Sequence, residues 1–88
     1  MTGTTPASAD QTINLKYPVT YQGERIETLT MRRPKVRDML AAAQKSDTAE
    51  GKELHVFADL TEVAPELIEE MEWIDYLALQ KAYGTFLS

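Results

Sequence analysis

From Ile13 to Tyr21, apolar and polar positions alternate: Ile13, Leu15, Tyr17, Val19 and Tyr21 are separated by Asn14, Lys16, Pro18 and Thr20. A period of two is that of a strand with one buried face. Gln22-Gly23 follows, with glycine to supply the positive φ of a tight turn, and a return strand from about Arg25 to Met31 completes a hairpin over residues 12–32. Pro18 has no N–H for a ladder bond, which places it at an edge or at an unpaired position. With a two-residue turn Val19 faces Ile26, and Leu29 and Met31 then fall on the opposite face. A bulge near Glu27 or Thr28 restores the register; a longer turn is the alternative.

Beyond the hairpin the period lengthens. Pro34 suits a first helical turn and drives Arg33 into an extended conformation, so a helix is predicted over 34–45. Val36, Met39, Leu40 and Ala43 recur there at i, i+3, i+4 and i+7 and are expected inward, with Lys35, Arg37 and Asp38 outward. After a polar linker, a second helix is expected over 50–61 with Leu54, Phe57, Ala58 and Thr61 on one face. Pro65 opens a short helix over 65–71, and the last helix covers 73–87. The N-terminal 1–11 holds no large hydrophobe after Met1 and is expected to be a disordered tail. The expected fold class is therefore α+β: a single small domain over 12–88, with an N-terminal β-hairpin packed on three to four short α-helices. Helices are needed because an isolated hairpin is marginal in water.

Composition narrows the function classes. The net charge of −5 is unevenly spread: residues 1–45 hold seven Lys/Arg against four Asp/Glu, and residues 46–88 hold two against ten. That acidic half argues against a protein that simply coats nucleic acid. There is no cysteine, and so no disulfide or thiolate site, which fits a reducing compartment. The N-terminal stretch lacks the basic and apolar regions of a signal peptide, and no apolar run approaches membrane length, so a cytoplasmic location is expected.

No phosphate-binding glycine loop or nucleophile elbow is present, and no enzymatic activity or cofactor is expected. His55 and Asp59 share a helix face at i, i+4, but two ligands are too few for a metal. Glu66, Glu69, Glu70, Glu72 and Asp75 lie at helical spacing without a calcium-loop glycine and read as a solvated acidic face. Arg32, Arg33, Lys35 and Arg37 form the one basic run; a DNA-binding regulator using Arg32 to Arg37 is the alternative function. On a helix begun at Pro34, Arg33 and Arg37 would share a face. In the last helix, Tyr76, Leu79, Tyr83 and Phe86 make one stripe and Trp73, Leu77 and Gln80 a neighbouring one. Either both stripes are core, or part of this surface meets a partner, with Trp73, Tyr76, Tyr83 and Phe86 as apolar anchors and Arg33 and Arg37 as steering charges.

The hairpin with its Gly23 turn, the segment Leu29-Thr-Met-Arg-Arg-Pro-Lys-Val-Arg-Asp-Met-Leu40 and the ending Ile74-Asp-Tyr-Leu-Ala-Leu-Gln80 resemble the tail assembly chaperones of Mu-like and related tailed phages. The resemblance covers residues 12 to 87, with Arg-Arg-Pro-Lys-Val-Arg-Asp its most distinctive piece; Trp73 departs from the small aliphatic commoner at that place. It implies a protein that binds the amphipathic helices of the tape measure protein and keeps that protein soluble until tube subunits polymerise around it. It further implies action in the host bacterial cytoplasm, absence from the mature virion, and a longer form made by ribosomal frameshifting; a second copy of the chain is the other partner considered, and the sequence does not give oligomeric state.

Overall fold

The turn at Gln22-Gly23 fixes the hairpin. In the computed structural model, which describes residues 10–88, both turn residues have positive φ, 51° and 81°, the pairing of a two-residue turn that matches strand twist. It joins β1, Asp10–Tyr21, to β2, Glu24–Arg32, with Tyr21 opposite Glu24 and Val19 opposite Ile26. β1 starts two residues ahead of the expected hairpin, with Asp10 and Gln11 opposite Arg32 and Met31; the rest of the expected tail, 1–9, lies outside the described residues.

The register shifts between Asn14 and Val19, across from Glu27. Asn14 pairs with Thr28 and Val19 with Ile26, so the extra length lies in β1 and not, as expected, near Glu27 or Thr28 of β2; it holds Pro18, whose missing N–H is harmless there. Glu27 and Thr28 both face solvent, which returns Leu29 and Met31 to the face of Ile26. Tyr17 corrects the simple alternation: the bulge turns it outward, leaving it 49 % exposed, while Ile13, Leu15 and Val19 stay buried.

Four helices follow: α1, Val36–Ala43; α2, Ala49–Thr61; α3, Pro65–Glu69; and α4, Trp73–Phe86. α1 begins at Val36, not Pro34, so Arg33 and Pro34 belong to the connection and Arg33 shares no helix face with Arg37. The Asp38 carboxylate accepts the Lys35 backbone N–H at 2.8 Å; lysine has no side-chain acceptor to answer, so only half of a capping box forms. Thr48 caps α2 by accepting the Gly51 N–H. Glu62 closes α2 at φ 59°, letting the Val63 N–H reach the Ala58 carbonyl, a position glycine fills more commonly.

α2 is the centre of the packing, against β2, α1 and α3, while α4 lies on β1. Phe57, fully buried, is flanked by the rings of Tyr76 and Tyr83 at 5.5 and 5.4 Å. Met31, Leu60 and Leu79 complete the deepest layer. The architecture is α+β, a two-stranded antiparallel hairpin covered by four helices.

Candidate functional site

The buried stripe of α4 is Asp75, Leu79, Ala82 and Phe86, at i, i+4, i+7 and i+11. Asp75 therefore leaves the acidic face on which its neighbours sit. Its carboxylate is buried against the bulge of β1 and accepts the backbone N–H of Lys16 at 2.8 Å and of Tyr17 at 2.9 Å. Those two N–H groups lose their ladder partners where the register shifts, and the carboxylate replaces them. The remaining acids, Glu66, Glu69, Glu70 and Glu72, are exposed.

Turning Asp75 inward sets the other residues of α4. Trp73, Tyr76, Gln80 and Tyr83 form a flank that looks toward α2. The Tyr76 hydroxyl donates to Glu53 Oε1 at 2.7 Å, and Gln80 Nε2 donates to the same atom at 2.9 Å. Burial, then the hydrogen bond to Glu53 and its charge, hold the Tyr76 phenol well above the usual tyrosine range, so it stays protonated and donating. Trp73 stacks on Tyr76 at 5.5 Å and is itself 68 % exposed. Phe86 is only 8 % exposed and packs with the core, and the Arg33 guanidinium lies 5.3 Å above its ring.

α1 reverses its expected orientation. Asp38 and Ala42 face inward, while Val36, Met39 and Leu40 are 72, 58 and 57 % exposed. What draws Asp38 in is Arg32, whose two terminal nitrogens donate to the two carboxylate oxygens at 3.0 and 2.8 Å. With that pair made, the apolar side of the helix is left for solvent or for another molecule.

The Arg32 hydrogen bonds, with help from the Lys35 N–H and against burial, hold the Asp38 carboxyl below the usual carboxylate range. A folded-state pKa lowered in this way stabilises the fold above the unfolded value, roughly 4, and that stability is lost as pH falls through the folded value. Urea midpoints measured from pH 7 to pH 2 are expected to fall less steeply below about pH 4 in Asp38→Asn, less stable at neutral pH, than in the unsubstituted chain. Parallel curves would exclude the linkage.

Two of the hollows among the described residues share a border along α2. One, of about 410 Å³, is bounded by Met39 and Leu40 of α1, Val56 and Phe57 of α2, and Tyr83 of α4. The other, of about 440 Å³, is lined by the apolar Leu54, Ile68, Met71 and Trp73 together with Glu50, Glu53 and Glu69. Glu53 borders both, so the two are adjacent. Ile74 and Leu77 on α4, and Leu87 just beyond it, add exposed apolar area. Of the anchors expected from sequence, Trp73, Tyr76 and Tyr83 thus come together along the hollows and Phe86 does not. Met39 and Leu40 were missed, although their amphipathic spacing was plain.

The basic run is divided among different tasks. Arg32 is paired with Asp38, while Arg33, which lies over the Phe86 ring, Lys35 and Arg37 are exposed around the start of α1. This is no continuous cationic stripe of the kind a duplex needs. Among the described residues no group of three or more His, Cys, Asp or Glu is placed to hold a metal, and no helix is long and apolar enough to cross a membrane.

Comparison with known proteins gives one family match. The model for phage tail assembly chaperone proteins, E, or 41 or 14, matches residues 12–88, the hairpin from the third residue of β1 and all four helices. No curated protein and no solved structure matches the chain.

Proposed function

Because the chain belongs to the family of phage tail assembly chaperones, we propose that it binds amphipathic helices of the tape measure protein and keeps that protein soluble while the tail is built. The observation that supports this reading is the apolar surface that the domain leaves uncovered: Met39 and Leu40 on α1, and Trp73 beside half-buried Tyr76 and Tyr83 on α4, bordering two adjacent hollows. An unassembled tape measure chain exposes apolar helix faces, and a groove lined by aromatic and aliphatic side chains takes such a face by helix-in-groove contact. Trp73, Tyr76 and Tyr83 are the anchors on α4. Arg33 and Arg37, both exposed at residue level, steer the approach of acidic segments.

The action is binding without turnover, in the host cytoplasm, and ends when tube subunits displace the chaperone. Moderate affinity per site suffices, since several copies along one long client multiply their hold.

The test is co-expression of the tagged chain with the tape measure protein, followed by affinity capture and titration with a helical tape measure fragment. Trp73→Ala and Leu40→Ala are each expected to weaken the fragment's binding by about thirtyfold, the scale of a central interface anchor. Circular dichroism and urea midpoint should hardly change, because both side chains are more than half exposed. Tape measure protein absent from the capture, or captured equally by a chain carrying both Trp73→Ala and Leu40→Ala, would sink the assignment.

A further inference from the structure

We propose that this chain pairs with a second copy of itself about a two-fold axis, α1 of each copy lying in the acidic-rimmed hollow of the other. The two surfaces complement one another in shape and in charge. α1 is convex, with Val36, Met39 and Leu40 each more than half exposed, and Lys35 and Arg37 are exposed beside them. The hollow between α2, α3 and α4 is concave, lined by apolar side chains, and carries Glu50, Glu53 and Glu69. An apolar helix with a cationic border thus has its counterpart in an apolar groove with an anionic border.

Their placement favours closure. Met39 and Leu40 border the neighbouring hollow, and Glu53 belongs to both, so the convex and concave surfaces stand side by side along α2. Adjacent complementary patches are what a two-fold interface uses: the contact made by one copy is repeated by the other, so that the pair closes on itself. The apolar residues supply the affinity, while the charges fix the register and make association sensitive to salt. This goes beyond client binding. It gives the chaperone a resting form in which its own exposed helix is covered, and a client helix must compete with the second copy for the same groove.

Sedimentation equilibrium of the full chain at low and high salt tests the pairing. A reversible monomer–dimer equilibrium is expected that weakens as salt is raised. Arg37→Glu and Glu69→Lys are each expected to weaken it about tenfold or more, by placing like charges across the contact. Combining both in one chain restores complementary charge and is expected to recover most of the loss, which a merely destabilised monomer would not do. Both positions are exposed, so circular dichroism should show all three variants folded. A monomer at every concentration in low salt, a dimer indifferent to the single substitutions, or a double variant no better than the singles would each overturn the proposal. Capture of the tape measure protein would stand unaffected by any of those results.

Discussion

Asp75→Ala is expected to lower the stability of the domain by about 3 kcal/mol. The carboxylate is 3 % exposed and accepts two backbone N–H groups at 2.8 and 2.9 Å. Hydrogen bonds to a charged acceptor contribute about 1.5–3 kcal/mol each, and truncation also strands both donors in a partly buried bulge. Small domains hold only about 5–15 kcal/mol in total, so a change of this size removes a large share. Asp75→Asn is expected to recover part of the loss, since it keeps one acceptor oxygen while turning an amide donor toward the second N–H. Urea unfolding gives the energies, and hydrogen exchange locates them. The Lys16 and Tyr17 amides should lose protection in the alanine variant beyond what its lower global stability explains. A loss below about 0.5 kcal/mol, the range of ordinary surface substitutions, would mean that the clamp is not what holds α4 to β1.

Phe86→Ala is expected to cost about 3 kcal/mol, the low end of the range for a buried ring because the end of a terminal helix can partly collapse into the space. Trp73→Ala on the same helix should cost less than about 1 kcal/mol, since its indole is 68 % exposed. The contrast separates folding from binding: Phe86 holds α4 against the core, and Trp73 is available to a partner. Thermal or urea melts of the two variants, side by side, decide it. A near-neutral Phe86→Ala with lost client capture would return that ring to the partner surface.

Much of the fold was legible in the pattern of residues, and the physics explains what was not. The hairpin, its Gln22-Gly23 turn and the need for a bulge follow from period-two alternation and from the mismatch of Val19 and Ile26 with Leu29 and Met31, although the bulge expected near Glu27 or Thr28 lies in the other strand. Which strand carries the extra residues depends on Asp75, more than fifty positions away, and local pattern cannot supply that. Asp75 itself was within reach, because it keeps step with Leu79, Ala82 and Phe86, but its acidic neighbours masked the signal. α1 is the instructive failure. Spacing showed two unlike faces, and the apolar one was assigned to the core. Periodicity reports amphipathicity, not which face the rest of the chain covers; here the ion pair of Arg32 with Asp38 turned the helix over. The same inversion hid Met39 and Leu40 from the candidate site, while the helix that did suggest partner anchors placed three of its four rings along the hollows.

The grip of Asp75 on Lys16 and Tyr17 joins residues 59 and 58 positions apart. During translation the kinked strand is therefore made long before the group that holds it, and Phe57 emerges before either tyrosine that flanks it. A ribosome must release α4 before the nascent hairpin acquires its anchor. The hairpin should be protease-sensitive on stalled chains ending before residue 75, and should become resistant only once the last helix is free to dock.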